Sequence, residues 1–112
     1  MEIKKWHVYV ADLNPRMGTE AGKIRPVVVV QTDLLNGVHP STVVCPLTTN
    51  LQPKARFLRV HLRAGEAGLK QPSDIMVDQL RAIDNRRFLR ETGKISRHNQ
   101  ERLAENIRIL LT

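Results

Sequence analysis

The sequence predicts a mainly β fold with added helices: a small, partly open barrel of short strands that ends in a helix. Short apolar stretches separated by turn residues recur over residues 6–95, a pattern typical of a small barrel or sandwich. Apolar residues at helical spacing are clearest in the last part of the chain. With 112 residues, the chain can bury a core of its own, so we expect one domain over residues 1–112.

The stretch 18–31, GTEAGKIRPVVVVQ, joins a polar loop to an apolar strand. The four consecutive valines at 27–30 predict a strand that is covered on both faces. Pro26 suits the first residue of this strand, because its missing amide donor is not yet needed there. Arg25 then lies at the rim of the core, where a guanidinium either forms a surface ion pair or binds an anion. The preceding loop adds a hydroxyl, a carboxylate and an ammonium from Thr19, Glu20 and Lys23.

The other strands are predicted from alternating or continuous apolar residues. Their ranges are 6–11 for the first strand, 42–47 for the third, 56–63 for the fourth, 73–79 for the fifth and 93–95 for a short last strand. Pro46 lies inside the third range and predicts an edge strand or a bulge there. The segment 32–41 is expected to be a surface loop, because it contains Asn-Gly and His-Pro turn signals.

Two helices are predicted near the C-terminus. Asp84 caps a short helix that runs to Leu89, since a carboxylate accepts the unsatisfied amides of a first helical turn. Ser96 caps a terminal helix with one apolar stripe, formed by Leu103, Ile107, Leu110 and Leu111. One small barrel cannot cover all of this apolar surface, and we therefore expect a homodimer.

Charge and composition indicate the class of binding partner and the cellular compartment. The net charge of +7 attracts polyanions, and nucleic acid is the leading partner class. The N-terminus has no apolar signal region, and no run of about 20 apolar residues could span a bilayer, so we expect a cytoplasmic protein without a membrane partner. The single Cys45 lies in an apolar run and is expected to be buried.

The residues that could carry chemistry are basic, hydroxyl and acidic. The four histidines are widely separated without a cysteine pair, and no phosphate-binding loop or serine elbow is present, so we expect no metal and no cofactor. Cleavage of RNA suits the remaining groups, because a ribose 2′-hydroxyl can attack if the enzyme aligns it and stabilises the phosphorane charge. Arg25 and Thr48 are the candidate catalytic residues, with Glu20 or Asp78 as the supporting acid.

The fourth predicted strand carries a candidate nucleic-acid face. Phe57, Arg59, His61 and Arg63 alternate with apolar residues and could stack a base and contact phosphates. An ordinary solvated strand face is the alternative. The complete set of candidate RNA-binding residues is Thr19, Lys23, Thr49, Phe57, Arg59, His61, Gln79 and Arg81.

Four motifs in this order resemble the MazF/PemK family of toxin endoribonucleases from type II toxin–antitoxin systems. They are VYVADLNP at 8–15, GTE, Gly22 and RPVVV within 18–29, PLTT at 46–49 and DQLRAID at 78–84. The resemblance implies an SH3-like plug barrel, a homodimer and metal-independent cleavage of single-stranded mRNA, opposed by an acidic MazE-like antitoxin. It also implies that Arg25 and Thr48 form the catalytic pair.

Two departures from the family pattern bear on the site. Ala21 stands where many members have glutamine, and Met76 stands where the PemK branch has an arginine two residues before its acid. The second departure favours the arrangement of Arg25 and Thr48 over an acid and arginine pair at Asp78. Two other functions fit the same residues: a CcdB-like toxin that binds DNA gyrase without catalysis, and a non-catalytic RNA-binding regulator. Cleavage specificity is expected to depend on the loops 32–41 and 51–55.

Overall fold

The computed structural model describes residues 1–15, 17–20 and 22–112, and in these residues it contains seven strands and one α-helix. The strands are β1 (His7–Asp12), β2 (Ile24–Val29), β3 (Ser41–Thr48), β4 (Arg59–Leu62), β5 (Ser73–Met76), β6 (Arg81–Asp84) and β7 (Phe88–Lys94). The helix α1 (Arg97–Leu111) follows β7 directly. Single 3-10 turns are formed by Glu66–Gly68, Val77–Gln79 and Asn85–Arg87. The prediction of a mainly β fold that ends in a helix is confirmed.

Strand β3 has neighbours on both sides within an antiparallel sheet of order β4-β5-β3-β2-β1-β7. One side of β3 pairs with β2; the other pairs with β6 over residues 41–44 and with β5 over residues 47–48. The predicted edge strand at Pro46 is therefore wrong. Pro46 lies opposite Val27 of β2, at the point where the neighbour on the other side changes from β6 to β5. Its missing amide donor removes no pairing there.

The valine strand is covered on both faces, as predicted. Val28 packs in an apolar cluster with Val8, Leu47 and Leu103, while Val27 and Val29 pack in a second cluster on the opposite face of β2. The strand begins earlier than expected, at Ile24, so Pro26 is its third residue. Arg25 consequently belongs to β2 itself, opposite Ala11 of β1, and its backbone is held in the ladder.

The structure corrects the predicted ranges near residues 77–95. Strand β5 ends at Met76, and Val77–Gln79 form a turn where a strand was expected. Asp84 caps its helical turn by accepting the Arg86 amide at 2.8 Å, but this turn comprises only Asn85–Arg87 and the predicted helix to Leu89 is wrong. Phe88 begins β7 instead, because its ring is buried edge-on against Tyr9 and β7 pairs with β1.

The terminal helix packs on the sheet through part of its apolar stripe. Ser96 Oγ accepts the Asn99 amide at 3.3 Å, which confirms the predicted cap. Leu103 is fully buried, whereas Leu111 is 66% exposed. Asn106 connects the helix to the chain before β4, because its Oδ1 accepts the backbone amide of Leu58 at 2.7 Å. Among the described residues, no helix is long and apolar enough to cross a membrane.

Truncating the buried end of this stripe should destabilise the fold. Leu103→Ala is expected to lower the free energy of unfolding by about 2–5 kcal/mol, because it removes buried methyl groups and leaves a cavity. Leu34→Ala deletes the same atoms at a position that is 86% exposed and should change it by less than about 0.5 kcal/mol. Urea unfolding followed by far-ultraviolet circular dichroism measures both values. Equal effects would show that the helix does not pack through Leu103.

Candidate functional site

A pocket of about 450 Å³ opens where the loop between β1 and β2 meets the ends of β3 and β5. It is lined by Asn14, Thr19, Glu20, Gly22, Lys23, Arg25, Thr48, Met76 and Gln79. The structure thus brings together the predicted catalytic pair, one of the two candidate acids and three candidate RNA-binding residues. The pocket combines a guanidinium, an ammonium, hydroxyls and a carboxylate, a composition that suits an anionic ligand.

Arg25 is half-buried, and both walls of the pocket hold its guanidinium. Nε donates to the Gly22 carbonyl at 3.0 Å, and Nη1 donates to the Leu47 carbonyl at 3.2 Å. A guanidinium keeps its charge at any relevant pH. The pocket therefore contains a permanent positive charge whose orientation is fixed by the backbone next to Thr48.

Thr48 ends β3 and presents an oriented hydroxyl. Its backbone lies opposite Asp74 of β5, and its Oγ1 accepts the backbone amide of Asn50 at 3.1 Å. A threonine hydroxyl can accept and donate at the same time. The Asn50 amide occupies one of the two lone pairs of this oxygen, and the hydroxyl proton can donate to a ligand in the pocket.

Hydrogen bonds to the backbone shape the loop between β1 and β2. The Leu13 amide donates to the Lys23 carbonyl at 3.0 Å, and the Lys23 amide donates to Asn14 Oδ1 at 2.8 Å. Arg87 Nη1 donates to the carbonyls of Asp12 and Asn14 at 2.9 Å and 2.6 Å. Lys23 has a φ of 58°, an uncommon value for a residue other than glycine, and these bonds hold it there. Asn14 is thus a site residue that was not predicted, although it lies in the motif at 8–15.

Several predicted residues lie outside the pocket. Asp78 is exposed in the turn after β5 and does not line the pocket, so Glu20 is the candidate acid that does. Thr49 is exposed beyond the end of β3, and Arg81 is half-buried in β6. Of the two family departures, Met76 lines the pocket and Ala21 falls outside the described residues.

Phe57 does not share a face with Arg59 and His61, contrary to the predicted alternation. Leu58 has a φ of 67°, a left-handed conformation that interrupts the extended chain, and β4 begins only at Arg59. Phe57 is 58% exposed and lines a separate groove against α1 with Ile109. The predicted stacking role of Phe57 would thus require RNA to extend to this groove.

Arg59 and His61 contact a buried acid, Asp74, which was not among the predicted site residues. Asp74 is 1% exposed, and its Oδ2 accepts Arg59 Nη1 at 3.1 Å and the Gln52 amide at 2.9 Å. Its Oδ1 accepts His61 Nδ1 at 2.6 Å. Burial on its own raises the pKa of the Asp74 carboxyl, but the donors from Gln52, His61 and Arg59 outweigh it and leave this pKa below its ordinary value.

Cys45 is buried in the core, as predicted. Burial, with a smaller contribution from the charge of Asp78, raises the pKa of its thiol to about 12. The thiol is therefore protonated at neutral pH and does not serve as a nucleophile. Among the described residues, no three or more histidine, cysteine, aspartate or glutamate side chains are grouped so that they could hold a metal ion.

The family comparison covers almost the whole chain. The model of the PemK-like, MazF-like toxins of type II toxin–antitoxin systems matches residues 4–111. The chain belongs to this family. It is 32% identical to endoribonuclease EndoA of Bacillus subtilis (strain 168) over 111 residues, which cover 99% of this chain and 96% of EndoA. It is 33% identical to endoribonuclease MazF of Staphylococcus epidermidis over 86 residues, 77% of this chain and 72% of that protein.

The solved structures agree with the PemK/MazF assignment. The MazE-MazF structure (Form-II) from Deinococcus radiodurans superposes with a TM-score of 0.78, over 99% of this chain and 96% of the other, at 22% sequence identity. At that identity the superposition establishes the fold alone. The predictions of the family and of its fold are confirmed.

The ionised form of Asp74 should stabilise the fold. Since its pKa is lower in the folded than in the unfolded chain, this stabilisation is complete above the unfolded value of about 4 and is lost as the pH falls through the folded value. The free energy of unfolding of the wild type should therefore decrease as the pH drops below about 4. Asp74→Asn should weaken this dependence. Urea unfolding between pH 2 and pH 7 tests it, and identical pH profiles would contradict it.

Proposed function

We propose that this chain is the toxin of a type II toxin–antitoxin system and acts as a sequence-specific endoribonuclease on single-stranded RNA. The observation that carries this proposal is the pocket in which Arg25, Thr48 and Glu20 meet, in a member of the PemK/MazF family. EndoA and the Staphylococcus MazF, both named as endoribonucleases, support it.

The reaction we propose is an internal transfer that consumes no water. The ribose 2′-oxygen forms a new bond to the adjacent phosphorus while the bond from phosphorus to the 5′-oxygen breaks. The 2′-hydroxyl proton passes to a base, and the leaving 5′-oxygen gains a proton. The products are a 2′,3′-cyclic phosphate and a 5′-hydroxyl, and the enzyme need only align the groups and stabilise the phosphorane charge.

Each pocket residue has a role that matches its chemistry. Arg25 binds the non-bridging oxygens of the scissile phosphate, since a guanidinium holds its proton and cannot act as a base. Thr48 donates its hydroxyl proton to the same phosphate. Glu20 is the carboxylate on the pocket wall and is our candidate for accepting the 2′-proton. Thr19, Lys23 and Gln79 bind the neighbouring nucleotides.

The pocket also bears on the two alternative functions. A gyrase-binding toxin without catalysis would not need a guanidinium and a hydroxyl that are both oriented by hydrogen bonds. An RNA-binding regulator could use the same pocket, and only turnover separates it from an enzyme. The RNA contacts of Thr49, Phe57 and Arg81, and the specificity roles of the loops 32–41 and 51–55, stay predictions.

An acidic MazE-like antitoxin is the partner we propose for control of this activity. The net charge of +7 attracts both RNA and an acidic chain, and we propose that the antitoxin competes with substrate for the pocket. The MazE-MazF structure from Deinococcus radiodurans supports this partner class. We also infer a cytoplasmic homodimer, for which the exposed Ile109, Leu110 and Leu111 offer apolar surface.

Analysis of the fragment ends tests the proposed function. The purified protein, incubated with single-stranded RNA in excess chelator, should cut it at a short recurring sequence. The fragments should carry 2′,3′-cyclic phosphate and 5′-hydroxyl ends, because the 2′-oxygen is the nucleophile. Binding without turnover would favour the regulator. Activity that disappears in chelator and returns with magnesium, or fragments with 5′-phosphates, would rule out this mechanism.

Substitutions at the pocket test the proposed catalytic pair. Arg25→Ala and Thr48→Val should each reduce the cleavage rate by about 100-fold or more, as the loss of one preorganised electrostatic group does. Arg86→Ala is the matched control, because this arginine is 90% exposed and lies outside the pocket. Its rate should equal that of the wild type. Circular dichroism verifies the fold of each variant, and a folded variant with the wild-type rate would exclude its residue from catalysis.

A further inference from the structure

Thr48, Asp74 and His61 form a continuous row across three strands. Thr48 of β3 lies opposite Asp74 of β5, and Asp74 lies opposite His61 of β4. Directly paired residues in a sheet place their side chains on the same face. The hydroxyl of Thr48 therefore shares one face with the Asp74 cluster, defined as Asp74, Arg59 and His61.

A short chain of hydrogen bonds connects the buried carboxylate to this hydroxyl. Asp74 Oδ2 accepts Arg59 Nη1 at 3.1 Å, and the same Nη1 donates to the Asn50 carbonyl at 3.1 Å. The Asn50 amide in turn donates to Thr48 Oγ1 at 3.1 Å. The Asn50 amide thus occupies one lone pair of the Thr48 hydroxyl, and Arg59 holds Asn50 through its carbonyl.

The same cluster holds the whole segment that follows Thr48. Asp74 accepts the Gln52 amide, and His61 Nε2 lies 3.2 Å from the Ala55 carbonyl oxygen. Residues 49–54 are exposed, so little burial of their own holds them in place. Three contacts to the cluster, at residues 50, 52 and 55, fasten this segment over the sheet.

Stability alone is a weak reason for such a cluster. A buried carboxylate with its partners adds little to the free energy of unfolding compared with well-packed apolar residues, because the cost of desolvation opposes the attraction between the charges. A fully satisfied buried network does, however, fix the geometry of the groups that it binds. At Asp74 those groups are the segment 50–55 and, through it, the hydroxyl of Thr48.

We propose that Asp74 is a positioning residue of the ribonuclease site, acting through Arg59 and Asn50 to orient the Thr48 hydroxyl. This inference rests on the proposed function for its catalytic consequence. Asp74 touches no substrate. Its carboxylate holds Arg59, Arg59 holds the Asn50 carbonyl, and the amide of the same residue occupies one lone pair of Thr48 Oγ1, which orients the hydroxyl for the scissile phosphate.

The kinetics of Asp74→Asn test this role. Asparagine keeps the shape of the side chain but loses its charge, so Arg59 is no longer held by a carboxylate. We expect kcat to fall about 10–100-fold, as it does on loss of an outer-shell orienting group, while KM changes little. Asp84→Asn is the matched control, because Asp84 also pairs with an arginine but lies outside the pocket. Its kcat should equal that of the wild type.

A double substitution separates positioning from general destabilisation. If Asp74 acts through Thr48, Thr48→Val combined with Asp74→Asn should cleave as slowly as Thr48→Val alone. Losses that multiply would overturn the proposal. Arg59→Gln breaks the same series of hydrogen bonds at its middle member and should reproduce the loss in kcat. This variant takes the place of Asp74→Asn in the test if Asp74→Asn does not fold.

Hydrogen exchange gives a result that does not depend on catalysis. The Asn50 and Gln52 amides should exchange faster in folded Asp74→Asn than in the wild type, whereas amides in the middle of β3 should not. If the wild type fails to cleave RNA, the proposed function fails, and unchanged exchange would separately overturn the positioning role. If the wild type cleaves and folded Asp74→Asn retains its kcat, only the positioning role is wrong.

Discussion

The pairing of β2 with β3 is the constraint on which the site depends. Val27 lies opposite Pro46, and in an antiparallel pair the residues two positions further in either strand again face each other. Arg25 precedes Val27 by two residues, and Thr48 follows Pro46 by two, so this register brings guanidinium and hydroxyl to the same place. A shift by one residue would turn one of them to the opposite face. The relative position of the two site residues is therefore fixed by the pairing of β2 with β3 in the core.

Arginines in this protein differ in what their charge is used for. The carbonyls of Gly22 and Leu47 accept hydrogen bonds from the Arg25 guanidinium and orient it at the pocket. Arg59, by contrast, is paired with the buried carboxylate of Asp74. In the first arrangement the backbone holds a guanidinium at the pocket, and in the second a guanidinium holds the backbone of Asn50. Net charge alone does not distinguish these two uses.

Elements with strong local sequence patterns were predicted correctly, and elements with weak patterns were not. The valine run and the cap at Ser96 were predictable because each is decided within a few residues. The start of β7 at Phe88 was not, since pairing with β1 overrides the helical start at Asp84. The Asp74 cluster was missed because its partners come from a different strand and a loop. Nothing in the sequence marks the left-handed Leu58, which separates Phe57 from the face of Arg59.

The bond between Asn106 and Leu58 links the helix to the chain before β4 and, through Leu58, to the turn Val77–Gln79, whose last residue lines the pocket. The Leu58 amide donates to Asn106 Oδ1, and its carbonyl accepts the Val77 amide, so the left-handed residue is held from two sides. A nonsense mutation anywhere upstream of codon 106 removes this anchor, even where every strand is retained. A cell that escapes its toxin by mutation can therefore do so far downstream of the codons for Arg25 and Thr48.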